Sequence, residues 1–289
     1  MNSNTENKLK IALTGASGLV GSRIVELLAD EVEFVAISQA AMDITKRNQV
    51  KAYLRNRDFD LLLHLAAYTN VDKAEQEKEL CYRVNVEGTR NIFEETAKRG
   101  KQFIYISTDF VFSGENSPYD ESSLPDARSG VYGLSKLEGE KVVAGQAMIV
   151  RLSFPYRSTY NARPDFVRVL KGLLEQKKQL ALVTDSVFTP TFIDDIAYGL
   201  KYLFTNYSPQ VFHLVGSQSL SPYDACVLIA EAFSLDKSLI GKTTFEEFYK
   251  GKAPRPKQAI IKSRKNNFWA MRSFKEGLEE LRAQMKDFR

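Results

Sequence analysis

The sequence predicts an α/β fold, a Rossmann-type doubly wound parallel sheet with a smaller C-terminal lobe. Three observations carry that expectation. Short apolar runs rich in β-branched residues alternate with amphipathic segments through the first two-thirds of the chain, as βαβ units do around a sheet covered on both faces. A glycine-spaced turn, with Gly15, Gly18 and Gly21, joins the first such run to the first amphipathic segment. After about Pro155 the alternation loosens into a Tyr/Arg/Ser-rich stretch over 155–164. The Rossmann domain is therefore expected over 1–155, with strands and helices around 179–215 added to it, and 156–289 mainly in the smaller lobe.

Strands are expected at 10–13, 33–37, 61–65, 103–107, 149–152, 180–183 and 211–215, each a short apolar run. Helices are expected at 19–28, 45–55, 79–98, 131–143, 165–175, 194–204 and 222–233, from apolar spacing near 3.6 and from Gly and Pro punctuation. Most strands end in a small or polar residue. Such ends matter because open parallel sheets bind ligands beyond the carboxyl ends of their strands.

With 289 residues, 44% hydrophobic and 26% charged, the chain can bury a sizeable core and is neither disordered nor fibrous. Its formal charge of +4 comes from interleaved charges of both signs, which argues against a dedicated nucleic-acid or anionic-membrane partner. No apolar run approaches the roughly 18–20 residues of a membrane span, and the polar stretch 1–8 lacks a signal-peptide core, so a cytoplasmic location is expected. Cys81 and Cys226 share no metal or redox spacing and are expected as reduced thiols, with no metal site. His64 and His213 fall inside predicted strands and are expected in the core.

The glycine turn reads TGASGLVG over 14–21. Gly15 permits a tight strand-to-helix turn, Gly18 a close backbone approach to a pyrophosphate, and Gly21 close packing of helix on sheet. With Ser17, Leu19 and Val20 they form a candidate dinucleotide site at a helix N-terminus. Tyr132 and Lys136 stand at i and i+4 near the start of another helix, on one face. An adjacent cation favours the phenolate of a tyrosine whose reference pKa is about 10, which makes an acid/base pair. Thr108, at the end of the strand over 103–107, can share the charge developing on a carbonyl oxygen with that tyrosine.

These elements, in this order, resemble the extended short-chain dehydrogenase/reductase superfamily, and within it the dTDP-4-dehydrorhamnose reductase family. The resemblance runs through TGASGLVG at 14–21, LAAYTNVDKAE at 65–75, VNVEGT at 84–89, STDFVFSG at 107–114, YGLSKLEGE at 132–140 and FTPTFIDDIA at 188–197, with Arg255-Pro256 and Lys265 beyond. It implies a catalytic triad. Tyr132 would donate a proton to a sugar C4 oxygen, Thr108 would hydrogen-bond that oxygen, and Lys136 would hold the nicotinamide ribose and lower the tyrosine pKa. It further implies that Gly15, Gly18, Leu19 and Val20 line the pyrophosphate, Asp43 and Ile44 the adenine, and Ala66, Ala67 and Tyr68 the cofactor ribose. Thr69, Val71, Thr108, Phe110, Phe154 and Arg255 would face the sugar substrate, and Asn85 matches a buried structural amide behind the site.

The activity implied is NAD(P)H-dependent reduction of a 4-keto group on a nucleotide-linked deoxysugar. A nucleotide-sugar epimerase or dehydratase of the same superfamily is the alternative, as is a non-catalytic regulatory subunit resembling the methionine adenosyltransferase beta subunit. Phe110 and Phe154 stand where these reductases usually carry Tyr and Trp, which leaves the sugar open. After the second strand the chain reads Ile37-Ser38-Gln39 with no carboxylate to hold a ribose 2′-OH, which favours NADP(H) over NAD(H), with Ser38 at that position and Arg23 a candidate counter-charge. The basic stretch 250–267 is expected either to grip a diphosphate or to be a solvated loop. A homodimer is compatible with the resemblance.

Overall fold

The computed structural model describes residues 8–128 and 130–287; the start of the chain, 1–7, lies outside them. The first half runs β1 (Leu9–Thr14), α1 (Leu19–Leu28), β2 (Val32–Ile37), α2 (Arg47–Arg55), β3 (Leu61–His64), α3 (Val71–Ala74), α4 (Lys78–Tyr82), α5 (Thr89–Ala97), β4 (Gln102–Thr108), α6 (Gly130–Val143) and β5 (Met148–Leu152). The second half follows with β6 (Pro155–Tyr156), α7 (Phe166–Glu175), β7 (Leu180–Val183), β8 (Val187–Phe188), β9 (Thr191–Phe192), α8 (Ile193–Thr205), β10 (Val211–His213), α9 (Pro222–Phe233), β11 (Ile240–Thr243), α10 (Phe245–Tyr249), β12 (Gln258–Ala259) and α11 (Phe274–Asp287).

Six of the strands form one parallel sheet in the order β10-β5-β4-β3-β1-β2. From β1 the chain moves outward to β2 and then crosses back to β3 on the other side. The strand order reverses between β1 and β3, and a crevice opens there beyond their carboxyl ends. Successive residues of a strand face opposite ways, so the two faces bury different sets. Ile11 and Leu13 pack with Ile24 and Leu28 of α1 and Ile196 and Leu200 of α8. Ala12 and Leu62 pack on the other side with Phe59, Ile92 and Phe103. Burial on both faces explains why these strands read as continuous apolar runs in the sequence.

The second half adds an aromatic core of its own, in which Tyr156, Phe166, Phe188, Phe192 and Phe274 close on α9 and α11. Two expectations need correction. The strand at 180–183 is β7, and it pairs in register with β11, Leu180 opposite Ile240, outside the central sheet. A four-residue apolar run does not encode which sheet it joins. The single helix expected over 79–98 contains a wider-pitched turn at Arg83–Gly88 between α4 and α5, of the kind that clusters at functional sites. Phe268 stacks on Tyr202, and Trp269 packs at a tilt against Tyr198, both of α8. Among the described residues no helix is long and apolar enough to cross a membrane.

Candidate active site

A cavity of about 690 Å³ opens at the carboxyl ends of the central strands, where the strand order reverses. Gly15, Ser17, Gly18, Leu19, Val20 and Gly21 form one wall, and Ser38, Asp43 and Ile44, after β2, form another. Ala66, Ala67, Tyr68 and Thr69 follow β3, and Thr108, Tyr132, Lys136 and Phe154 close the far end.

The glycine wall is set by contact. Gly15 has φ +74°, and a Cβ there would meet Ala66 N at 2.9 Å; a Cβ on Gly21 would meet Gly15 O at 2.3 Å. Turn, helix and the segment after β3 are thus closer than any side chain allows. No side chain caps the first turn of α1 and none of its residues is acidic, which leaves its N–H groups for an anion. The Tyr160 phenol, from the second half of the chain, donates to Ser17 O at 2.7 Å. Nothing in the sequence signalled that contact.

Behind the cavity a buried polar chain positions the wall after β3. Thr14 Oγ1 accepts from Ala66 N (3.2 Å) and lies 2.7 Å from His64 Nδ1, while His64 Nε2 lies 3.2 Å from Thr89 Oγ1. Thr89 donates its only hydrogen to Asn85 O at 2.7 Å, which assigns the neutral Nε2–H tautomer to His64. Burial pushes the His64 pKa down to about 3, and the Lys136 charge adds to this. Asn85 Oδ1 accepts from Tyr68 N at 2.7 Å and its Nδ2 donates to Ser135 Oγ at 2.9 Å, which ties the segment after β3 to α6.

At the far end, Lys136 Nζ donates to Ile106 O at 2.8 Å and sits 4.0 Å from the centre of the Tyr105 ring. Burial lowers its pKa to about 7, against the carboxylate of Glu140. The Tyr132 phenol is raised above its ordinary pKa, mainly by burial and further by the Asp109 charge, while the Thr108 hydroxyl pulls the other way. The expected lowering by Lys136 is not met: Lys136 is not among the groups that act on the phenol in the cofactor-free protein, where burial dominates. Phe110 is buried and meets the Tyr132 ring edge-on at 5.4 Å, so it shapes the phenol's surroundings. Phe154 holds φ +40°, a strained value for a non-glycine residue, at the cavity wall. Ser107 Oγ is buried without a hydrogen-bond partner, and its residue lines the cavity.

The profile of the RmlD substrate binding domain family matches residues 9–287. The chain belongs to that family. It is 30% identical over 260 residues to the spore coat polysaccharide biosynthesis protein SpsK of Bacillus subtilis, covering 88% of this chain and 89% of that protein. It is 29% identical over 283 residues to the dTDP-4-dehydrorhamnose reductase of Mycolicibacterium smegmatis, covering 94% and 84%. Among solved structures, the dTDP-4-dehydrorhamnose reductase of Bacillus anthracis in complex with NADP superposes with a TM-score of 0.89 at 30% identity, over 96% of this chain and 99% of that one. The UDP-glucose 4-epimerase of Thermotoga maritima, at 18% identity over 97% of this chain and 99% of that one, shares the fold (TM-score 0.81).

Not every residue expected at the site of this RmlD-family chain faces its cavity. Phe110, Arg255 and Val71, the last at the start of α3, lie outside the lining. Arg255 donates to Asp72 at 2.8 Å and stacks over Tyr249, and Lys257 and Arg264 pair with Asp185 and Asp120. These cations of the basic stretch are committed to carboxylates. Arg23 is also committed elsewhere, since its Nε and Nη2 each donate to Asp194 at 2.7 Å on the first turn of α8. It is not a free counter-charge for a 2′-phosphate.

Proposed function

We propose that the protein is an NADP(H)-dependent reductase of a 4-keto group on a nucleotide-linked deoxysugar. The observation that carries this is the convergence of Thr108, Tyr132 and Lys136 at one end of a cavity whose other end is the uncapped glycine turn. The residues fit a dinucleotide on two counts. The turn is too tight for a Cβ at Gly15 or Gly21, and the buried Ser107 hydroxyl lacks a partner that a bound polar group supplies.

The nicotinamide supplies the hydride when bound. Tyr132, kept protonated by burial, gives its proton to the ketone oxygen; Lys136 holds the cofactor ribose from the same helical face. Gly15 to Gly21 receive the pyrophosphate, Asp43 and Ile44 the adenine, and Ala66 to Tyr68 the ribose. NADP(H) is supported by the NADP-bound relative and by Ser38, which stands at the end of β2 where an acid would repel a 2′-phosphate. Lys46 and Arg83 supply positive field at that end, where both lower the Asp43 pKa behind the dominant hydrogen bonds from Thr45. The sugar is read by Thr69, Thr108 and Phe154 at the far end of the cavity and mainly by 156–289 beyond it.

The test is oxidation of NADPH and NADH against a panel of nucleotide-linked 4-ketosugars, with Tyr132→Phe beside the wild type. Turnover that falls by about 10²–10⁴-fold in Tyr132→Phe, with dinucleotide binding kept, is the expected result. Tight binding without turnover of any member would overturn the reading in favour of a regulatory or epimerase-type protein.

A further inference from the structure

The immediate neighbour of Thr108 has no role in the reaction described above, yet it is a carboxylate exposed to only 2%. Asp109 Oδ1 accepts from Thr108 Oγ1 at 2.9 Å, and Oδ2 accepts from Ser153 Oγ at 2.7 Å. Burying a carboxylate is costly, and an apolar residue of similar volume would avoid the cost. Burial pushes its pKa up to about 6, against the two hydroxyls, so at pH 7 it is mostly ionised and accepts only.

Counting hydrogens then fixes what Thr108 can do. A hydroxyl has one hydrogen and two lone pairs. The hydrogen goes to Asp109, and one lone pair receives the Phe110 N–H at 3.3 Å. What remains is a single lone pair, on the side where Thr108 meets the Tyr132 phenol, and it is open to the substrate once that phenol turns to the ketone. We propose that Asp109 is a positioning residue that takes the Thr108 hydrogen, so that Thr108 meets the substrate as an acceptor and reads a hydroxyl group rather than the ketone. The ketone oxygen is then served by Tyr132 alone, and Thr108 engages either a neighbouring sugar hydroxyl or the newly formed alcohol. This inference rests on the reductase reading above and reverses the direction expected for the Thr108 hydrogen bond.

Asp109→Leu removes the acceptor, whereas Asp109→Asn keeps an amide oxygen for the Thr108 hydrogen. In wild-type background, Asp109→Leu is expected to lower kcat by about tenfold with NADPH affinity unchanged, and Asp109→Asn to stay within about threefold of wild type. In a Thr108→Val background, Asp109→Leu is expected to change nothing further. An equal loss in both backgrounds would make Asp109 merely structural and overturn the inference. Neutron diffraction from the wild-type protein decides it independently of turnover. The Thr108 deuterium pointing at Asp109 supports it, and a deuterium pointing into the cavity overturns it, whichever sugars the enzyme accepts.

Discussion

Asn85 clasps the backbone of Tyr68 from both sides, its Oδ1 accepting the Tyr68 N–H at 2.7 Å and its Nδ2 donating to the Tyr68 carbonyl at 3.1 Å. The amide sits in the wide turn at Arg83–Gly88, and its second Nδ2 contact, with Ser135, reaches the helix that carries Tyr132 and Lys136. One side chain thereby holds the segment after β3 and the helix that carries Tyr132 and Lys136 in register.

Asn85→Leu therefore strands two backbone groups of Tyr68. The expected loss is about 2–4 kcal/mol of stability, since each orphaned buried group costs roughly 1–3 kcal/mol. Urea unfolding measures the loss, and dinucleotide titration of the folded variant should show weaker binding. A variant as stable as wild type would mean that water or a backbone shift replaces the clasp.

Gly21→Ala tests the glycine wall. The added methyl would stand 2.3 Å from Gly15 O, a backbone atom that cannot swing aside, so the turn must open. Dinucleotide affinity is expected to fall at least about tenfold, or about 1.4 kcal/mol, by fluorescence titration, with the protein still folded. Unchanged affinity would show that the pyrophosphate does not use this turn.

Much of this was legible in the sequence, and the limit has a physical cause. Spacing within one segment determines which residues share a face, so Tyr132 with Lys136 and the glycines of 15–21 could be read directly. Spacing says nothing about which distant segment covers that face. Arg23 looked free because its partner Asp194 lies 171 positions away. The run at 180–183 looked like a central strand because its true neighbour, β11, follows some 60 residues later. His64 was placed in the core by its strand pattern, but its relay through Thr14 and Thr89 depends on a packing contact that no local period encodes.

The Arg23–Asp194 pair yields a separable prediction about cofactor choice. The Arg23 side chain is 12% exposed and that of Asp194 8%, so Arg23→Ala leaves a buried carboxylate whose remaining side-chain donor among the described residues is Gln284. It is expected to cost about 2–4 kcal/mol of stability while leaving the NADPH/NADH preference as it was. Ser38→Asp is expected to do the reverse, keeping stability and shifting preference toward NADH by charge repulsion. A cofactor switch in Arg23→Ala would restore Arg23 to the binding site.

Lys136 gives the sharpest pH prediction. Its pKa falls from 10.5 unfolded to about 7 folded, with burial the main cause. Between those values the unfolded chain binds more protons than the folded one, so this group's contribution to stability rises with pH across that window. Its destabilisation is fully present below about pH 7 and is relieved as the pH approaches 10.5. Lys136→Met removes the buried charge but also leaves Ile106 O without its donor. The net expectation for the cofactor-free protein is a gain of about 1–2 kcal/mol at pH 6.5, shrinking toward high pH, together with a fall in kcat of at least about 10²-fold. Denaturant unfolding at several pH values checks the first and steady-state kinetics the second. A Lys136→Met protein less stable than wild type at pH 6.5 would mean that the ammonium is better solvated than its burial implies, and that its pKa stays near that of a free lysine.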